Sequence, residues 1–88
     1  MPAQITVICL GKKDELKDRF HTLDQLKNVI FEKFRTYLTK KNLNEQRVNF
    51  ILTYRTNHSE RLLDDINIIK NSIDTKFTIS VKRVKQIF

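Results

Sequence analysis

Residues 22–39, which read TLDQLKNVIFEKFRTYLT, constrain the fold more than any other part of the chain. Apolar residues recur there at spacings of three and four, which is the repeat of a helix that buries one side. They are Leu23, Leu26, Ile30, Phe34, Tyr37 and Leu38, with Phe31 at the edge of the stripe and expected at the edge of the core. Thr22 can cap the first turn, and Gln25 stands where a capping box requires it. We therefore predict one main helix, which must cover another layer of structure.

Short stretches rich in β-branched and apolar residues predict the strands of that second layer. Residues 4–10 are largely apolar on both faces, which favours a central strand. A turn over residues 11–14 is expected to return the chain into a second strand at residues 16–21. Asp18 would there share the inner face with Leu16 and Phe20, so we expect a bulge or a shorter strand.

Three further strands are predicted after the helix. Residues 47–56 form the third, with Phe50 inward and Ile51 outward. Residues 61–63 form a very short fourth strand, and residues 64–71 follow it as a helical turn or short helix. Residues 77–84 close the chain with alternating apolar and polar positions.

This order of elements predicts an α+β fold, in which a mixed four- or five-stranded sheet is covered by one main helix. The first and last strands are the most apolar, so we expect them to be central and adjacent. Because a crossover helix lies between the first hairpin and the last strand, that central pair should run parallel.

The length of 88 residues predicts a single domain over residues 1–88. A single Cys excludes an internal disulfide and fits a reducing compartment. The first residues lack the pattern of a secretion signal, and no apolar run approaches the roughly 18 residues of a membrane span. We therefore expect a cytoplasmic or nuclear location and no membrane partner.

The balance of charge favours negatively charged partners. Seventeen Lys and Arg residues against ten Asp and Glu residues give a net charge of +7, which attracts polyanions and acidic proteins at long range. The basic residues are scattered along the chain, however, and Lys, Asn and Ile are all abundant. A solvated surface set by compositional bias is therefore the competing interpretation.

Residue patterns typical of catalysis or metal binding are missing from the sequence. Cys9, His21 and His58 do not follow any standard ligand spacing, and no Gly-rich phosphate loop occurs. Cys9 sits in the middle of a predicted strand without a neighbouring base, as a small buried residue would. We expect no catalytic activity, no metal and no cofactor.

Four segments resemble the ubiquitin-like β-grasp superfamily. Residues 3–7, followed by a Gly-Lys turn, are similar to its opening strand, and residues 22–30 to its helix start. Residues 45–50 resemble the entry to its third strand, and residues 62–68 with 77–83 resemble its late turn and final strand. The resemblance covers nearly the whole chain, and its matching positions are mostly core and cap residues.

The departures from ubiquitin imply a built-in, non-conjugating module of a larger scaffold or signalling protein. A conjugated modifier ends in Gly-Gly, whereas this sequence ends Val84-Lys85-Gln86-Ile87-Phe88. Asn49 and Ser80 occupy positions that belong to the apolar receptor patch of ubiquitin. The resemblance therefore implies that ordinary ubiquitin receptors do not recognise this surface.

Two kinds of ubiquitin-like interaction domain are most similar to this pattern. Phox-and-Bem-type domains pair a basic cluster on the first strands with an acidic loop of a partner, and this chain would supply the basic side. Its first strand holds Ile8 and Cys9 where that family has a lysine. Ras-binding-type domains add a basic second strand to a partner's sheet edge. Both resemblances imply a contact at the first hairpin.

We therefore predict a non-catalytic protein–protein interaction module with a basic surface that binds an acidic protein. The predicted partner-binding residues are Lys12, Lys13, Lys17, Arg19, Ile8, Asn49, Ile51, Ser80, Lys82 and Arg83. The alternative is a basic α+β nucleic-acid-binding domain, although most aromatic residues fall on predicted inward positions. Homotypic assembly is a further possibility, suggested by the apolar pair Ile87 and Phe88.

Overall fold

The main helical stretch forms two consecutive helices in the computed structural model, which describes residues 2–40 and 50–83. They are α1 (Leu23–Lys33) and α2 (Arg35–Lys40). Between them Phe34 leaves the helical region, with φ of −98° and ψ of 10°. Its N–H still donates to the Ile30 carbonyl at 3.0 Å, and its carbonyl accepts from the Leu38 N–H at 2.9 Å. The predicted amphipathic stripe is therefore kept across a small break.

The start of α1 is capped from both directions. The Thr22 hydroxyl oxygen accepts a hydrogen bond from the Gln25 N–H at 3.1 Å. The Gln25 side-chain oxygen accepts from the His21 N–H at 2.8 Å, one residue earlier than in a standard capping box. Together these bonds fix the path by which the chain enters the helix.

The described strands form one mixed sheet in the order β2-β1-β5-β3-β4. Their bounds are β1 (Gln4–Cys9), β2 (Lys12–Leu16), β3 (Phe50–Arg55), β4 (Glu60–Leu62) and β5 (Lys76–Arg83). The first and last strands are parallel neighbours, and the other three pairs are antiparallel. The prediction of a central parallel pair is thus confirmed, and the fold is α+β.

The predicted position of the second strand is wrong. The chain turns at Leu10 and Gly11, with positive φ at both (48° and 93°), as a two-residue hairpin turn that matches the twist of the strands requires. Because this turn is so short, β2 begins at Lys12, opposite Cys9, and ends at Leu16, opposite Ile5, one residue short of the start of β1 at Gln4. Residues 17–21 therefore lie outside the strand pairing, and residues 12–14 belong to the strand instead of the turn.

The core lies between the helices and one face of the sheet. Its strand side chains come from the inward positions of the three middle strands and from Leu16 of β2, and its helical side chains come from the predicted stripe, with Phe31 also buried. A short helix, α3 (Asn67–Lys70), adds Ile69, and the preceding loop adds Leu63. The outward Ile8 and Ile51 lie outside this core. One sheet face is therefore left uncovered by the elements that the structure describes.

Candidate functional site

A row of side chains crosses the uncovered sheet face, with one residue from each strand. The register aligns Lys13 with Ile8 and Ile8 with Ser80. It then aligns Ser80 with Thr53 and Thr53 with Leu62. We call this surface the open face; its centre is Thr6, Ile8, Ile51, Thr53, Thr78 and Ser80, and its margin is Lys13, Glu15, Arg55, Glu60, Leu62 and Lys82.

The centre of the open face carries no charge. Ile8, Ile51 and Ser80 are half-buried, and Thr6 and Thr53 are buried among their neighbours. Charged side chains stand only at the margin. An uncharged centre with a charged rim is the arrangement found in protein–protein interfaces, whose cores are depleted of charged residues.

An ion pair crosses the open face from β5 to β4. The Lys82 Nζ lies 2.6 Å from the Glu60 carboxylate, and the Thr53 hydroxyl donates to the same carboxylate at 2.9 Å. The Lys82 bond first, and the Thr53 bond second, lower the pKa of the Glu60 carboxyl. Lys82, a predicted contact for an acidic partner, is therefore already paired, and a partner carboxylate would have to replace Glu60.

The Glu60 pair gives a pH-dependent contribution to stability. Because the pKa of Glu60 is lower in the folded chain than its ordinary value of 4.5, its ionised form is favoured by folding, and this contribution is complete above that value. It should be lost as the pH falls through the folded pKa. Denaturant titrations should thus show wild type more stable than Glu60→Gln at neutral pH, with the difference vanishing at acid pH.

A double-mutant cycle supplies the control for this expectation. Removing the amine with Lys82→Met should abolish most of the loss of stability that Glu60→Gln causes at neutral pH. Added salt should shrink that loss in the wild-type background, because both side chains are partly exposed. A Glu60→Gln effect that persists unchanged in the Lys82→Met background would contradict the pairing.

Lys17 and Arg19 lie away from the open face, at a cleft beside the connection between β2 and α1. The cleft has a volume of about 500 Å³ and is lined by residues of this connection, by Ile5 of β1 and by Lys70 of α3. We call it the basic cleft; its lining residues are Ile5, Lys17, Asp18, Arg19, Phe20, His21 and Lys70. Ile5 and Phe20 are buried core residues, so the cleft has an apolar wall beneath charged side chains.

The predicted contact residues thus fall into separate groups. Ile8, Lys13, Ile51, Ser80 and Lys82 come together on the open face. The predicted strand alternation places all of them there except Lys13, which was expected in the turn. Those at the basic cleft are Lys17 and Arg19.

Two further predicted residues, Lys12 and Arg83, belong to neither group. Lys12 faces the helix side, where its Nζ lies 5.4 Å from the centre of the Tyr37 ring. Arg83 is exposed opposite Phe50, on the other side of β5 from Lys82. Asn49 lies outside the described residues.

Several residues of these surfaces were not among the predicted contacts, and three of them come from elements whose placement the sequence does not give. Glu60 and Leu62 join the open face through the pairing of β3 with β4, and Lys70 joins the basic cleft through the placement of α3. For these residues the sequence predicted only a very short fourth strand and the helical turn that follows it. Neither prediction gives the register that brings these side chains to the two surfaces.

The described residues offer little for metal or thiol chemistry. Across residues 2–40 and 50–83, no three His, Cys, Asp or Glu side chains lie close enough to hold a metal ion. Burial raises the pKa of the Cys9 thiol, which disfavours the reactive thiolate. The helices of this part of the chain are also too short or too polar to cross a membrane.

Comparisons with protein-family models, curated proteins and solved structures found no significant match to this chain.

Proposed function

We propose that this chain is a ubiquitin-like β-grasp domain that acts as a non-catalytic protein-interaction module. The β-grasp assignment is supported by the hairpin, the crossover helices and the parallel pairing of β1 with β5. It is also supported by the sequence resemblance, which spans the same elements. The domain would serve within a larger scaffold or signalling protein, in the cytoplasm or nucleus.

The uncharged centre of the open face is the observation that carries this function. Ile8 and Ile51 are half-buried there and packed against no described helix. Burying a neutral surface of this kind against a complementary protein excludes water and contributes favourably to the free energy of binding. The charged margin sets the orientation of the partner. The net charge of +7 favours a partner whose own margin is acidic.

The positions of the aromatic rings argue against the nucleic-acid alternative. Phe20, Phe31, Phe34, Phe50 and Phe77 are all 8% exposed or less. Tyr54 stacks on Phe77 with ring centres 5.7 Å apart, and the Tyr37 hydroxyl donates to the Leu10 carbonyl at 2.7 Å. The described residues therefore offer no flat aromatic platform on which bases could stack, as single-strand binders use.

A charge placed at the centre of the open face tests the proposed function. Ser80→Glu should reduce capture of at least one acidic partner protein from a nuclease-treated native lysate at least about tenfold, because an unpaired like charge in an interface is strongly unfavourable. The captured proteins are quantified by mass spectrometry. Asn28→Glu, on the solvent side of α1, adds the same charge and should leave capture unchanged.

Two results would overturn the proposal. One is capture by Ser80→Glu that equals the wild-type capture while the circular dichroism spectra agree. The other is tight binding of single- or double-stranded oligonucleotides by the intact chain, with affinity that falls steeply as salt rises. The second result would assign the basic surface to nucleic acid.

A further inference from the structure

We propose that the basic cleft binds an acidic segment of a partner protein, with one bulky apolar side chain of that segment seated against Ile5 and Phe20. This site is distinct from the open face, because Ile5 points to the helix side of the sheet. The inference goes beyond the proposed function by naming a second contact and the chemistry that fills it.

The size and lining of the cleft set the nature of the central contact. Its volume of about 500 Å³ falls within the roughly 300–1,000 Å³ of ordinary ligand pockets. Ile5 and Phe20 supply the wall, and the methylene stems of Lys17 and Lys70 extend the apolar surface toward the rim. A leucine- or phenylalanine-sized side chain fits this environment better than a polar group does.

The charges around the rim of the cleft determine which residues should flank the apolar residue of the bound segment. Lys17, Arg19 and Lys70 stand there against the single carboxylate of Asp18. None of these three cations forms an ion pair with an acidic residue in the described part of the chain, whereas Lys33, Arg35 and Lys82 elsewhere do. Carboxylates on either side of the apolar residue would meet an excess of positive charge.

The backbone around the cleft is already held in place. Phe20 is anchored in the core, and the next residue, His21, donates its N–H to the Gln25 side chain at 2.8 Å. The Thr22 cap then starts α1. A preformed site loses less conformational entropy on binding than one that must order itself, so a short segment suffices as ligand.

The net charge of the chain and the lining of the cleft favour an acidic peptide over a second copy of the chain or a nucleic acid. A second copy of this chain also carries +7, and like charges oppose such pairing. A nucleic acid matches the basic rim, but its flat bases do not fill a pocket walled by an aliphatic residue and a buried ring. An acidic peptide with an apolar side chain matches both the rim and the wall.

Peptide selection on the intact chain tests this assignment. A display library of short random peptides should yield sequences with Leu, Ile, Met or Phe flanked by Asp and Glu. Exchanging the apolar residue of a selected synthetic peptide for alanine should weaken binding at least about tenfold. The double substitution Lys17→Glu with Arg19→Glu should weaken it by at least the same factor.

A matched variant distinguishes binding at the cleft from nonspecific attraction by the net positive charge. Arg61→Glu with Lys40→Glu reverses two exposed cations that do not line the cleft and lowers the net charge equally. It should change peptide affinity by no more than about twofold. On peptide addition, the amide chemical shifts of residues 17–21 and of Lys70 should change. Ser80→Glu should leave the affinity for the peptide unchanged. A wrong assignment of the open face can therefore be told apart from a wrong assignment of the cleft.

Four results would overturn the proposal. The selection could yield no binder, or binders without the acidic-apolar pattern. Both double variants could weaken binding equally, which would indicate nonspecific charge. The shifts could fall on the open face instead of the cleft. A medium-chain fatty acid could displace the peptide at lower concentration than the unlabelled peptide itself, which would assign the cleft to a free amphiphile.

Discussion

Replacing Phe34 by alanine should lower the free energy of unfolding by about 3–5 kcal/mol. The ring lies at the junction of α1 and α2 and is only 2% exposed. Its loss would remove buried apolar surface and leave a cavity where the two helices meet the sheet. Domains of this kind have roughly 5–15 kcal/mol of stability in total, so the variant should be close to unfolding. Urea titration followed by circular dichroism measures the change.

The neighbouring position supplies the control for Phe34. Arg35→Ala alters an exposed side chain that forms an exposed ion pair with Glu32, so the free energy of unfolding should stay within about 0.5 kcal/mol of wild type. A loss below about 1 kcal/mol for Phe34→Ala would be too small for a filled core site. It would mean that the junction between the helices does not pack on the sheet.

Replacing Ile69 by alanine should lower the free energy of unfolding by about 2–5 kcal/mol, although Ile69 belongs to a helix of only four residues. An isolated helix so short is not stable in water, so α3 (Asn67–Lys70) must be held by its buried side chain. Ile69 is 0% exposed and is part of the single core cluster of the described residues. Thermal and urea unfolding should agree on the size of the loss.

The same chemical change nearby gives a matched comparison for Ile69. Ile73 lies in the loop after α3 and is 98% exposed, so Ile73→Ala should change the free energy of unfolding by less than about 0.5 kcal/mol. Equal effects at the two positions would contradict the placement of α3 against the core. They would also remove the structural support for Lys70 at the basic cleft.

The parts of the fold that sequence reasoning predicted are those with a strong hydrophobic period. The stripe from Leu23 to Leu38 fits a helix and no other element, and Phe34 and Leu26 are indeed buried. Strands β1 and β5 could be assigned to the centre because a central strand is apolar along much of its length. In both cases the buried positions must be apolar, so their spacing in the sequence reveals the element.

The second strand could not be placed from the sequence, because it lacks such a pattern. Four of the five residues of β2 are charged, so only the turn geometry sets its position. That turn uses a positive φ at Leu10, a conformation that leucine rarely adopts. Consequently the basic residues around it, which sequence reasoning treated as one hairpin cluster, divide between the helix side, the open face and the basic cleft.

The contacts across the candidate surfaces could not be predicted for a related reason. Glu60 and Lys82 are far apart in the chain, and they meet because β3 pairs with β4 on one side and with β5 on the other. Lys70 reaches the basic cleft only through the packing of Ile69. Such contacts depend on register and packing, which a single sequence does not display.

Amide chemical-shift mapping with a captured partner protein tests the central claim most directly. The isotope-labelled chain is titrated with the partner that Ser80→Glu fails to retain. We expect the largest shifts at Ile8, Ile51 and Ser80 on the open face. Shifts confined to the solvent side of α1, around Asp24 and Asn28, with the open face unchanged, would contradict it.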